Sequence, residues 1–128
     1  MDKDERRKGS SVGRLKRRAD FLRVAAARRK WAAPGLILQA APQPESTEEA
    51  TVRVGFTASR KVGNAVKRNR ARRRLRAIAE QVLPHAAPGN DFVLVARAAT
   101  VERDFDALRN DLVAGLKKLK LYRQGEAA

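Results

Sequence analysis

The feature that most constrains this chain is an eighteen-residue run, Ser59 to Arg76, in which nine side chains are Lys or Arg and none is acidic. Like charges three and four residues apart repel along a helix. Such a run is helical only where an apolar stripe anchors it to a core, and its outer face calls for an anion. The stripe is present: at 100° per residue Ala71, Leu75, Ile78 and Val82 fall on one narrow line. Asn69, Arg73 and Arg76 fall on the opposite side, flanked by Arg70 and Arg72. Asn64 after Gly63 suits an N-cap and Pro84 marks a stop, which predicts a helix from about Asn64 to Leu83. Its length would be roughly 30 Å. A merely solvated face mixes signs. This one does not, and a polyphosphate whose oxygens accept bidentate Arg contacts would relieve the repulsion.

The whole chain repeats that bias. Its 128 residues carry 29 Lys plus Arg against 14 Asp plus Glu, a net charge of +15, on a length that fits one domain. An anionic partner is implied. Membrane binding wants large apolar residues opposite a basic face, whereas the aromatics here (Phe21, Trp31, Phe56, Phe92, Phe105, Tyr122) are few and scattered. No stretch is apolar enough to span a bilayer, and the charged start Met1-Asp2-Lys3-Asp4-Glu5-Arg6 lacks the apolar core of a secretory signal. The expectation is a cytoplasmic protein without a membrane partner. No dimerisation heptad or helix-turn-helix spacing appears, so DNA is not the expected target. The absence of cysteine and the single His85 exclude thiolate catalysis, Cys-based zinc sites and paired imidazoles. Asp91, Glu102, Asp104 and Asp106 lie away from the basic run. The last three read as carboxylates of a first helical turn rather than as a metal cluster of a protein nuclease.

Along the chain, residues 1–13 read as a flexible basic arm, 14–122 as the domain and 123–128 as a tail. Asp20 to Arg29 reads as a helix, with Phe21, Val24 and Ala25 on one face. Pro34-Gly35 punctuates, and Leu36 to Ala40 is a short strand. The acidic stretch Pro42 to Glu49 reads as a long hairpin connection to a strand over Thr51–Ala58. A further strand, Asp91–Ala96, follows Pro88-Gly89-Asn90, and its unbroken apolar run suggests burial on both faces. Phe105, Leu108, Leu112, Leu116 and Leu119 define the stripe of a final helix. The order is α–β–β–α–β–α, an α+β sandwich with helices on a small mixed sheet. Trp31 reads as an anchor at the hydrophobic edge and His85 as a solvated loop residue. Phe21 is open between a core role and a ligand contact. Asn69, between Arg68 and Arg70, can order a base edge, a phosphate or a hydrated metal ion.

The gapless segment Ser59-Arg60-Lys61-Val62-Gly63-Asn64-Ala65-Val66-Lys67-Arg68-Asn69-Arg70, continued by Arg72-Arg73 and Leu75-Arg76, resembles the signature of the bacterial ribonuclease P protein component. Arg14-Leu15-Lys16 ahead of Asp20-Phe21 and Val24, Arg53-Val54-Gly55-Phe56, and Phe92 to Arg97 extend the resemblance over about residues 14 to 122. It implies a ribosomal-protein-S5-domain-2-like fold with a left-handed β–α–β crossover, against the usual right-handed preference. It also implies a small subunit bound to a large catalytic RNA which, with Mg2+, hydrolyses precursor tRNA to release the 5′ leader. By resemblance, Arg60, Lys61, Asn64, Lys67, Arg68, Asn69, Arg70, Arg72, Arg73 and Arg76 would contact the RNA subunit, and Asn69 would act on Mg2+ at most through the outer sphere. The metal would be held mainly by the RNA, and no catalytic residue is expected in the protein. Phe21, Val24, Ile37 and Gln39 would line a cleft for the single-stranded leader. Ala25 and Gln39 stand where relatives often place aromatic rings, which shifts leader affinity toward charge. A structural, ribosomal-type RNA-binding protein would share the composition but play no part in cleavage.

Overall fold

The structure, a computed structural model, describes residues 12–44 and 51–123. Its elements in chain order are β1 (Val12–Arg14), α1 (Arg18–Ala26), β2 (Arg29–Ala32), β3 (Leu36–Pro42), β4 (Val52–Thr57), α2 (Ala65–Val82), β5 (Asn90–Ala96) and α3 (Phe105–Lys118). Short 3-10 turns occupy Arg60–Val62, Leu83–His85 and Ala98–Val101. The strands form one mixed sheet of order β1-β4-β5-β3-β2. β4 runs parallel to both β1 and β5, while β3 runs antiparallel to β5 and β2.

Alternation along the strands separates two faces. Leu36, Leu38, Ala40, Val52, Val54, Phe92, Leu94 and Ala96 are buried on the first, beneath α2 and α3. Ala71, Leu75, Ile78 and Val82 of α2 complete this core, as their spacing predicts, together with Leu108, Leu112 and Leu116 of α3. Phe105 and Leu119, at the ends of the predicted α3 stripe, are only half-buried. Burying each large α2 side chain contributes roughly 1.5–3 kcal/mol, whereas each like-charge pair on the outer face costs a few tenths. Packing therefore decides that this run is helical. The second face is covered in part by α1, where Leu15, Val24, Ala41 and Val93 form a smaller core with Phe21 and Val95 against it.

The α+β class and the mixed sheet agree with expectation, but the element order does not. Two edge strands were not expected. Val12–Arg14, at the end of the expected arm, pairs with Val52–Val54; residues 1–11, like tail residues 124–128, lie outside the described residues. The helix expected to reach Arg29 stops at Ala26, and Arg28 turns the chain at φ 60° into β2. Pro34-Gly35 is then the turn of a β2–β3 hairpin, with Ala33 N donating to Leu36 O at 2.8 Å. The expected hairpin across the acidic stretch is overturned, because β5 lies between β3 and β4. The connection β4–α2–β5 is a parallel crossover, so the basic helix spans the two strands at the sheet's centre.

Two polar clusters fasten the layers. Asp111 of α3, buried, accepts from Gly35 N at 3.0 Å and from Arg103 Nε at 2.7 Å, while Thr100 Oγ1 donates to Gly35 O at 2.5 Å. A Cβ at Gly35 would stand 2.5 Å from the Asp111 carboxylate, so the hairpin turn fits there only as glycine. On the second face the fully buried Asp91 accepts from Arg53 Nε at 2.8 Å and Nη2 at 2.6 Å, and from Arg23 of α1. Arg23 also reaches Asp20 at 3.2 Å. Burial pushes the Asp91 carboxyl up, but the hydrogen bonds and charges of Arg53 and Arg23 outweigh it and hold the group below the usual carboxylate range. The same bond raises the Arg53 guanidinium. The Arg23–Asp91 pair pins α1 to the sheet.

Candidate nucleic-acid interface

The basic run begins in the 3-10 turn Arg60–Val62, where Ser59 Oγ accepts from Lys61 N at 3.3 Å. Gly63 follows at φ 143°, a conformation open to glycine, and a Cβ there would meet Lys67 Cδ at 2.7 Å. Asn64 then caps α2, its Oδ1 accepting from Lys67 N at 2.9 Å. Capping occupies the Asn64 oxygen and leaves its amide N–H groups for a ligand.

Arg60, Lys61, Lys67, Asn69, Arg70 and Arg73 are exposed, and Arg68 and Arg72 partly so. Among the described residues none of these cations is paired with a carboxylate; the ion pairs belong to Arg23, Arg53, Arg103 and Arg109. Arg68 Nη1 donates to Gly63 O at 2.9 Å, closing the loop that starts the helix. Asn69 Oδ1 accepts from Arg72 Nη2 at 2.6 Å, which couples two of the expected RNA contacts and engages the oxygen that a metal-bound water would use.

Two arginines depart from the simple ridge. Arg76, expected on the outer side, leans over the Phe56 ring at 5.7 Å with its Nε buried, because Phe56 at the end of β4 offers a flat apolar surface beside the helix. Arg14 approaches the same ring at 5.9 Å. Arg74 is committed to the fold: Nη1 donates to Thr100 O at 3.1 Å and Val101 O at 2.7 Å, and Nη2 donates to Arg103 O. Its position carries the signal, since Arg74 falls three residues after Ala71 and four before Ile78, on the border of the apolar stripe.

The proposed leader residues divide. Phe21, Ile37 and Gln39 are half-buried on the second face, Phe21 on α1 itself and Ile37 and Gln39 on β3. Val24 is not available to a ligand: it is fully buried, because it sits on the inner face of α1 against Val93 and Ala41. Ala25, expected to share that face, is exposed. Phe21 rests on Gly55, where a Cβ would lie 2.4 Å from Phe21 Cζ. The β2 pairing sets Lys30 opposite Gln39 and Ala32 opposite Ile37. Lys30 is thus a cation on this face that went unrecognised with its strand; two-residue alternation through Lys30 and Ala32 is the signal that finds it. Among the described residues no three His, Asp or Glu side chains converge as metal donors. Asp91 and Asp111 are held by arginines, and Asp104 caps α3 by accepting from Ala107 N at 3.1 Å.

A family model described as Ribonuclease P matches residues 10–120. The chain belongs to the ribonuclease P protein family. It is 58% identical over 119 residues to the ribonuclease P protein component of Paramagnetospirillum magneticum, covering 91% of this chain and 90% of that protein. To the same component of Ruegeria pomeroyi it is 48% identical over 112 residues, covering 86% and 88%. Among solved structures, the Staphylococcus aureus RNase P protein superposes with a TM-score of 0.71 at 27% identity, covering 85% of this chain and 96% of that one. The Thermotoga maritima RNase P protein gives 0.69 at 25% identity, covering 82% and 96%. Family proteins from distant bacteria thus share the fold. The segment that first indicated the family occupies the turn at Arg60 and the first two turns of α2.

Proposed function

We propose that the chain is the protein subunit of ribonuclease P and acts in 5′ maturation of tRNA precursors. In this reading the ridge Arg60, Lys61, Lys67, Arg68, Asn69, Arg70, Arg72 and Arg73 binds the catalytic RNA, with Asn64 donating from the helix start. The second face, through Phe21 of α1 and the β2–β3 residues Ile37, Gln39 and Lys30, binds the leader. The observation that carries it is the helix itself: one side is fully dry, and the other holds exposed cations with no carboxylate partner among the described residues. Counterion release from the RNA supplies much of the affinity, and bidentate Arg contacts orient the phosphates. Mg2+ held by the RNA would supply water activation and charge stabilisation for the hydrolysis. The protein's own residues position RNA strands around it; the carboxylates already engaged above do not suit a direct site. Membership of this family fits a cytoplasmic protein, and no helix among the described residues is long and apolar enough to cross a membrane.

The test is leader cleavage of precursor tRNA at low Mg2+ by the cognate RNA, with and without the protein, beside the protein alone. Stimulation that requires the RNA is expected. Tight binding without stimulation would make the chain a structural RNA-binding protein, and cleavage by the protein alone would move the chemistry into the polypeptide. Replacing Arg68, Asn69 and Arg70 with alanine weakens RNA binding and flattens its dependence on salt, because fewer counterions are displaced.

A further inference from the structure

Glu80 is the one carboxylate on α2. It is exposed, and despite three nearby arginines it forms no ion pair among the described residues. It stands instead at a pocket of about 390 Å³ lined by Arg73, Arg74, Arg76, Ala77, Glu80 and Phe105. The pocket is a shallow site wide open to solvent rather than an enclosed cavity. Residues 73, 76, 77 and 80 recur at helical spacing and share one side of α2. Arg74, tied to the carbonyls of Thr100, Val101 and Arg103, is a fixed wall. The Arg76 guanidinium lies over the Phe56 ring at 5.7 Å, and its buried Nε donates to no partner. A second cavity of about 100 Å³, bounded by Arg14, Phe56 and Glu80, adjoins it on the other side.

The pocket therefore offers an uncommitted cation at Arg73, a flat guanidinium, the apolar Phe105 and one acceptor-only carboxylate. A bare phosphate would leave Glu80 unanswered, and an apolar ligand would leave the arginines unanswered. A nucleotide answers all four. Two carboxylate oxygens accept but cannot donate, and among the RNA bases guanine alone presents two adjacent donors, N1–H and N2–H, on its pairing edge. We propose that this pocket captures one unpaired guanine nucleotide of the RNA bound by α2. Glu80 accepts from N1–H and N2–H, Phe105 and Arg76 flank the base, and Arg73 takes the phosphate. The inference rests on the RNA-binding reading above and adds base discrimination to a surface that otherwise contacts backbone.

The sign of one substitution separates this from bulk electrostatics. Removing a negative charge from a basic surface tightens binding to a polyanion, whereas losing a guanine contact weakens it. The experiment binds full-length protein, wild type and Glu80→Gln, to the cognate RNA, and footprints the complex with kethoxal, which attacks N1 and N2 of unpaired guanines. The expected result is a guanine protected by wild type and reactive with Glu80→Gln, with affinity lower by about tenfold. Inosine at that guanine, lacking the N2 amino group, reproduces the loss and adds little to Glu80→Gln. Equal or tighter binding by Glu80→Gln, or an unchanged footprint, overturns the pocket while leaving the subunit reading intact. No binding by wild type overturns both. Glu80→Ala, at the same exposed position, guards against an effect peculiar to glutamine.

Discussion

Arg73 and Arg74 are identical neighbours on one helix, and alanine at each in turn separates what α2 does for the fold from what it does for RNA. The Arg74 guanidinium donates to Thr100 O at 3.1 Å, Val101 O at 2.7 Å and Arg103 O. A hydrogen bond from a charged group is worth about 1.5–3 kcal/mol net, and a buried acceptor left without a partner costs about 1–3 kcal/mol. The three bonds share one half-exposed group, and water replaces part of what is lost. The structure therefore sets the cost of Arg74→Ala at about 2–3 kcal/mol. For a domain of this size that lowers the midpoint of thermal unfolding by about 10 °C. Arg73 is exposed, so Arg73→Ala leaves stability within about 0.5 kcal/mol. It weakens RNA binding instead, and reduces the slope of log affinity against log salt by about one. Urea unfolding followed by circular dichroism and by the single Trp31, with RNA titrations at several salt concentrations, measures both. An Arg74→Ala cost below about 0.5 kcal/mol, or an equal loss of stability in Arg73→Ala, would refute the division of labour.

Asp91 titrates below its ordinary value, so its contribution to stability is complete above the unfolded-state pKa of about 3.9 and is lost as pH falls through the lower folded value. Asp91→Asn is accordingly less stable than wild type at neutral pH, with the gap closing below about pH 4; a constant gap down to strong acid would contradict the ion-pair account. Lys120 ends α3 at φ 62°, with Leu121 N donating to Leu116 O at 2.7 Å, the arrangement in which glycine is favoured. Lys120→Gly should raise stability by about 1 kcal/mol, read as a shift of the urea midpoint at unchanged slope. Phe21→Ala should weaken precursor tRNA binding by the holoenzyme more than mature tRNA binding, since a stacked base is worth about 1–3 kcal/mol. Equal losses for both would assign the ring to packing on Gly55 alone.

What was legible in the sequence is what local periodicity and capping determine. The bounds of α2 follow from Asn64, the stripe from Ala71 to Val82, and the stop before Pro84, and the observed helix differs by one residue at either end. β1 is three residues long, and its pairing is supplied by β4, forty residues later; no pattern fits in so short a window. β2 is basic and follows three alanines whose helical preference extends the expected helix. Arg28 adopts the left-handed conformation without the glycine that normally announces it. The acidic connection looked like a hairpin because neighbours in sequence usually pair, and only the global sheet order reveals the strand between them. Within the site, helical phase separates Arg70 and Arg73 from the core. It misplaces Arg76, whose direction is set by Phe56 on another element. Val24, expected in the cleft by family likeness, is buried because the inner face of α1 packs it against Val93 and Ala41.

β5 is the last strand of the sheet to be synthesised, yet it occupies the centre, joining β4 on one side and β3 on the other. Before residues 90–96 emerge, the chain holds two disconnected pieces, the β1–β4 pair and the β2–β3 hairpin. Part of the floor on which α2 rests is missing at that stage, Phe92 and Leu94 included. The helix, self-repelling and dependent on that floor, has little reason to persist alone. In a chain made from the N-terminus, every residue of the cationic signature is thus in place before the strand that completes the surface beneath it. The signature becomes a rigid surface only when the central strand closes the sheet.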